Sequence, residues 1–387
     1  MQIIDSHLHI WELHRGDYHW LTPSLSALYR DFTPSEALSE MQRAQVAASV
    51  LVQAAATEAE TEYLLDVASH FPEQFLGVVG WADFTAVDAI ARIARLAENK
   101  KLVGLRPMLQ DISDVNWILN PALAPILQFI SDKAIPFDAL VTSSHLPAVI
   151  KLAQRYPLMT IIIDHCAKPS VDNAPQENWR EAMATLAEYP NVVVKMSGLP
   201  SESAEPFNKA GAAQFLDLLL QYFGADRILW GSDWPVVTQR SNYCQWLTFC
   251  IEFCQQRLTS KQCEAVFALN CHRIYNLARP APDSAPHPLI LLHERDNVLI
   301  ARRNLAKGDV VTIDGVEIAI ETDIAVGHKL ARHTIAKEEK VIKYGAAIGV
   351  AKVNISQGAH VHLNNLRSDY IPSHTRSSVN HDASSRD

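Results

Sequence analysis

Short apolar, β-branched runs recur along the first three-quarters of the chain, at Ile3–Ile4, Ala48–Val52, Phe75–Trp81, Leu102–Leu105, Phe137–Val141, Thr160–Ile163, Val192–Val194 and Ile228–Trp230. None alternates apolar with polar positions, as a strand with one wet face would. Such runs suit strands covered on both faces, the state of a parallel sheet flanked by helices. Helix-period stretches lie between them, at Glu62–His70, Ala86–Glu98 and Gln214–Tyr222. Thr33-Pro34-Ser35-Glu36 predicts a helix start, with an N-cap, a proline in the first turn and a glutamate placed for a capping box. Eight strands alternating with helices over about 275 residues predict an α/β fold, a (β/α)8 TIM barrel. An open doubly wound sheet could hold the same strands, so the pattern leaves closure undecided.

Past Ala278 the texture changes. Arg279–Pro288 contains four prolines in ten residues and predicts a semi-rigid linker. Beyond it, short Val- and Ile-rich runs are punctuated by Lys307-Gly308-Asp309, Asp314-Gly315 and Gly345. Asp314-Gly315, between Val310–Ile313 and Val316–Ile320, predicts a two-residue hairpin. The expected organisation is a barrel over 1–278, a linker over 279–288, a small mainly-β domain over 289–366 and a disordered tail over 367–387. The tail follows from Ser373–Asp387, which is almost without apolar residues.

Charge narrows the partners. Residues 1–287 carry 21 basic and 31 acidic side chains, and residues 288–387 carry 13 and 12. Neither part has the basic excess that phosphate-backbone binding needs, so no nucleic-acid partner is expected. The six cysteines form no Cys-x-x-Cys pair, which argues for free thiols over a disulfide framework or thiolate zinc site. No apolar stretch is long enough to span a bilayer, and Met1–Asp5 lacks the pattern of a signal peptide; a cytoplasmic location without membrane partners is expected. Homo-oligomerisation is left open.

Candidate chemistry gathers where strands end. In Asp5-Ser6-His7-Leu8-His9, residues two apart point to one side of a strand, so His7 and His9 present both imidazoles together. Two such imidazoles suit a divalent metal or a clamp on an oxyanion. Other strand ends carry Arg106, Asp164-His165, Lys195 and Asp233. Barrel enzymes place their chemistry at this end of the strands. Asp233 could ligate a metal and deprotonate water, or it could simply cap the helix after strand eight. Trp81 reads equally well as a site wall or as core.

Taken together, Asp5-x-His7-x-His9, Asp164-His165-Cys166-Ala167-Lys168-Pro169, Val194–Leu199 and Gly231-Ser232-Asp233-Trp234-Pro235 resemble the amidohydrolase superfamily over residues 1–278. Tyr18–Leu21, Gly80–Asp83 and Gly104–Met108 narrow the resemblance to the amidohydrolase-2 branch and its sugar-lactone hydrolases, which act on fuconolactone or rhamnonolactone. The resemblance implies hydrolysis of an aldono-lactone to its aldonic acid. Asp233 would be the general base. His165 would polarise the carbonyl with His7 and His9, Arg106 would bind the carbonyl or a ring hydroxyl, Trp81 would form a wall, and Lys195 or His145 would reach substrate hydroxyls.

The chain departs from the superfamily in lacking the strand-four lysine or glutamate that bridges two metals, and a strand-five histidine, for which His145 is the substitute. At most one Zn-like divalent metal is expected, on His7, His9 and Asp233, with metal-independent catalysis left open. The branch also contains decarboxylases, so a metal-dependent carbon–carbon lyase is the alternative, and a non-catalytic scaffold is a third reading.

The second module resembles the SAF-type domain, or small subunit, of altronate/galactarate dehydratases from about His287 to Ser373. The matching motifs are His293–Val298, Asp323–Lys329, Ile342–Gly345 and His360-Val361-His362. The resemblance implies a dehydratase large subunit as partner of residues 289–366. His360 and His362 share one strand side, which allows a metal or carboxylate contact, although a solvated edge strand explains them as well.

Overall fold

The computed structural model describes residues 1–204, 207–277 and 288–368. The expected linker, apart from Pro288, and the expected tail beyond 368 lie outside the described residues. The chain divides into two compact units, 1–286 and 287–387.

In the first unit eight parallel strands form one sheet in sequential order. They are β1 (Ile4–Leu8), β2 (Ala48–Val52), β3 (Phe75–Gly80), β4 (Leu102–Leu105), β5 (Phe137–Ala139), β6 (Ile161–Ile163), β7 (Val192–Met196) and β8 (Ile228–Trp230). The sheet is an α/β barrel, and residues just past β8 close it. Asp233 N donates to His7 O at 2.9 Å, His9 N donates to Trp234 O at 2.7 Å, and Leu8 pairs with Trp234 in parallel. The interior is packed, with Ile4, Val50, Val79, Ile162, Val193 and Leu229 meeting Cys271 and Tyr275.

Strands outrun the apolar pattern where buried polar groups find partners. β1 continues through Asp5, Ser6 and His7, all fully buried. Asp5 accepts from Ser232 N at 2.8 Å and from the Tyr243 hydroxyl at 2.7 Å, and Ser6 Oγ donates to Trp230 O at 2.7 Å. β7 takes in Lys195 for the same reason. β3, β5 and β6 are one or two residues shorter than their apolar runs.

The helix starting at Pro34 is capped by Thr33, whose hydroxyl accepts from Glu36 N. The expected capping box is only half made, because the Glu36 carboxylate pairs with Arg30 at 2.6 and 2.9 Å. The three helix-period stretches form the helices Glu58–His70, Ala89–Leu96 and Lys209–Phe223. All six cysteines are free and five are buried. Among the described residues no helix is long and apolar enough to cross a membrane.

The second unit is built from small antiparallel sheets. The Asp314-Gly315 hairpin forms as expected, with both residues at positive φ, between Val310–Ile313 and Val316–Ala319. A fourfold repeat organises this unit. Residues 301–310, 320–329, 331–340 and 351–360 each contain the same turn. Its apolar residue pairs across, Leu305 with Ile324 and Ile335 with Ile355. Three residues on, the backbone takes a positive φ, at Gly308, Gly327, Glu338 and Gly358. Folded structure runs to Ser368, two residues beyond the expected boundary, because Leu366–Ser368 pairs with Gly349–Ala351.

Candidate active site

Barrel closure and the site are one event. The hydrogen bond from Asp233 N to His7 O brings the Asp233 carboxylate against the two β1 imidazoles. His7 Nε2 and His9 Nε2 are 3.2 Å apart, and Asp233 Oδ1 lies 3.8 and 3.3 Å from them. Asp233 therefore does not serve as a helix cap; the 3-10 turn that follows starts after Pro235.

His165 reaches the same carboxylate oxygen at 3.8 Å by an unusual route. Directly after β6, His165, Cys166, Ala167 and Lys168 all have φ between 50° and 59°. Each non-glycine residue in this left-handed region costs about 1–2 kcal/mol. Neighbouring bonds hold the turn: His165 Nδ1 to Ser197 Oγ at 2.9 Å and Trp179 Nε1 to Cys166 O at 2.9 Å. Gly198 makes room, since a Cβ there would lie 2.6 Å from the His165 ring.

Beneath this cluster lies a buried layer of charge. Arg106 Nη1 is 3.3 Å from His7 Nε2 and donates to Asp164 Oδ2 at 3.2 Å, while its other amino group donates to Gln53 O. Lys195 Nζ lies 2.5 Å from Asp138 Oδ2, 3.0 Å from Asp164 Oδ1 and 3.0 Å from His7 Nδ1. Two cations thus face two carboxylates. Burial favours the neutral forms here, but the pairing wins for two of them. Lys195 is held above its usual value by Asp138 and Asp164, and Asp164 well below its own by Lys195, His7 and Arg106. Asp138 is pushed up to about 6 by burial, only partly offset by Lys195. Burial, then Lys195, drives His7 well below its usual value, and burial takes His165 down to about 4. For Asp233 burial works upward, but facing His165 and His9 holds it below the ordinary carboxylate range.

The upper cluster suits a cation. His9 Nδ1 lies 2.7 Å from Val52 O, a carbonyl that can only accept, so Nδ1 carries the proton. Nε2 is thereby aimed at a carboxylate oxygen and a second imidazole nitrogen. The donor separations resemble the ~3.3 Å between tetrahedral ligands placed ~2.0–2.1 Å from zinc. His7, His9 and Asp233 fit a single divalent ion, and His7, Asp164 and His165 form a second, overlapping group.

His9, Arg106, His165, Lys168 and Asp233 line a chamber of about 160 Å³. A larger cavity of about 420 Å³ shares Trp20, Ala54, Met108 and Asp111 with it and adds Trp81, Phe84 and Trp117.

A family profile described as amidohydrolase matches residues 4–277. The chain belongs to the amidohydrolase family. Its barrel is 40% identical over 283 residues to an L-fucono-1,5-lactonase of Burkholderia ambifaria, covering 72% of this chain and 97% of that protein. A crystal structure of an amidohydrolase from Burkholderia multivorans with bound zinc superposes with a TM-score of 0.67 at 30% identity, covering 72% of this chain and all of that one. The altronate/galactarate dehydratase SAF domain profile matches residues 287–369. Over 80 residues the chain is 44% identical to an altronate dehydratase of Escherichia coli, but spans only 16% of that enzyme.

In this amidohydrolase barrel, His7, His9, His165, Asp233 and Arg106 converge as their strand ends implied. Trp81 lines the larger cavity. Lys195 is fully buried and lines neither space; it faces His7 from below rather than reaching into the chamber. His145 is also outside both linings, and its Nδ1 joins Thr142 in a capping box. Sequence reasoning gave no role to Asp138, Asp164, Gln53, Trp20 or Lys168. Asp164 and Lys168 stood within the quoted motif, and Asp138 interrupts an otherwise apolar run, which was the available signal.

Proposed function

We propose that the barrel hydrolyses a sugar-derived lactone, an aldono-lactone such as fuconolactone or rhamnonolactone, to the aldonic acid. The supporting observation is the meeting of an ionised carboxylate, two imidazoles and a guanidinium around one small chamber, with the buried His7 imidazole against the same carboxylate, in a barrel related to two L-fucono-1,5-lactonases. Asp233, ionised at neutral pH, takes a proton from water as its oxygen attacks the lactone carbonyl. Arg106, almost wholly desolvated, donates to the oxyanion of the tetrahedral intermediate. The ring C–O bond then breaks, and Asp233 returns its proton to the departing ring oxygen. The product acid ionises, so each turnover releases one proton. His165, kept neutral, offers its Nε2 side to the carbonyl or a ring hydroxyl. Asp164 and Lys195 hold Arg106 and His7 in place from below. His7, His9 and Asp233 would hold a zinc-like ion, which supplies Lewis-acid polarisation when bound.

A panel of aldono-lactones followed by proton release, with and without added Zn²⁺, tests this reading. Turnover of at least one six-carbon lactone is expected; a flat response across the panel rejects it.

We also propose that the SAF-type unit binds a sugar-acid dehydratase large subunit, since such enzymes consume the aldonic acids that lactonases release. The likeness to a short part of altronate dehydratase supports this. Co-purification with a dehydratase large subunit is expected to require residues 288–387.

A further inference from the structure

In the C-terminal unit, three of the histidines that the barrel chemistry does not use lie together: His328, His360 and His362. His328 follows Gly327 in the second repeated turn, and His360 ends the fourth. Pairing of Lys329–Ala331 with His360–Val361 sets these turns side by side, with Leu330 opposite His360. His328 Nδ1 and His360 Nε2 are 2.9 Å apart. His362, just past the end of the strand, has its ring centre 5.3 Å from that of His360 and 5.5 Å from that of His328. Asn365 braces the segment, donating to His360 O at 2.8 Å and accepting from His362 N at 2.9 Å.

Two ring nitrogens at 2.9 Å mean that one donates to the other, or that both can face a shared ion. Partial burial, with the other two histidines and Lys329, lowers His360 to about 4, and burial also lowers His328, so both are neutral at pH 7. Neutral imidazoles without a carboxylate among them suit zinc, cobalt or nickel rather than calcium or magnesium.

We propose that His328, His360 and His362 form a second metal site, separate from the barrel, for a borderline divalent cation. His328 Nδ1 and His360 Nε2 are the two preset ligands. The exposed His362 completes the set by turning its side chain, and a fourth position stays open to water or a small ligand. The repeat explains the arrangement: two copies of one turn, brought together by strand pairing, each present an imidazole at nearly the same position.

The test uses the full chain with His7→Asn and His9→Asn, which silence the barrel donors. After metal removal it is titrated with Co²⁺, reading visible absorption and bound cobalt by equilibrium dialysis. One bound equivalent is expected, and none overturns the proposal. Adding His360→Gln is expected to abolish that equivalent; binding that persists unchanged places the ion elsewhere and overturns it. His362 is exposed, so His362→Ala leaves the fold intact and should weaken Co²⁺ binding about tenfold or more. Unchanged affinity in that variant overturns the three-histidine set.

Discussion

Asp233 joins three demands at a single position. Its backbone N–H closes the barrel, its φ of 57° lies in the left-handed region, and its carboxylate faces three imidazoles. Asparagine tolerates that φ as well as aspartate does. Asp233→Asn should therefore keep the fold and remove only the base and its charge. A fall in kcat of about 10²-fold or more is expected, with an unchanged unfolding midpoint. The strand-end histidines and Asp233 were legible in the sequence because polar residues closing apolar strands have no packing reason to be there. Lys195 had the same signature and a different place: its ammonium lies beneath His7 with Asp138 and Asp164. Position along a strand tells which residues face inward, not how deep in the barrel each one lies.

Elements show where strain is stored and what releases it. The left-handed turn after β6 aims His165 only because Gly198 leaves space beside its ring. Gly198→Ala puts a methyl group into that ring and an alanine at a φ of 70°. Activity should drop at least tenfold while the barrel loses about 1–3 kcal/mol, measured by kinetics and urea unfolding together. In the C-terminal unit the logic is reversed. Three of the four repeated turns use glycine where φ is positive, and the third uses Glu338 at 66°. Glu338→Gly is expected to stabilise this unit by about 0.5–1 kcal/mol, despite loss of an exposed contact with Arg367. The hairpin at Asp314-Gly315 was readable because its turn chemistry is local. The fourfold repeat leaves only a faint trace in the letters, an apolar residue at 305, 324, 335 and 355 followed three positions later by glycine at 308, 327 and 358, and Glu338 breaks even that pattern.

At the scale of the whole barrel, buried groups titrate against one another. Glu60 accepts from Ala54 N and Ala55 N and is pushed up to about 7 by burial, so its stabilising contribution is present at low pH and lost as pH rises through 7. His7 and His165, held below their unfolded values, contribute in the opposite sense and lose stability for the fold as pH falls below about 6.5. The wild-type stability curve should thus be nearly flat between pH 5.5 and 8. Glu60→Gln isolates one arm of this balance: relative to wild type it should gain on the order of 1–2 kcal/mol on going from pH 5.5 to 8, read from thermal unfolding at both values. A constant difference across that range would place the Glu60 carboxyl outside this balance.

Local composition by itself determined the eight strands, the alternation with helices, the change of texture after Ala278 and the histidine pair on β1, because each depends on residues near in sequence. Closure of the sheet, the depth of Lys195, the left-handed aim of His165 and the meeting of His328 with His360 were decided only in three dimensions. Each needs groups 30 or more positions apart to satisfy one another, as Asp233 and His7 do across 226 residues. No local propensity encodes such a pairing; it forms when burial leaves a polar group no other partner.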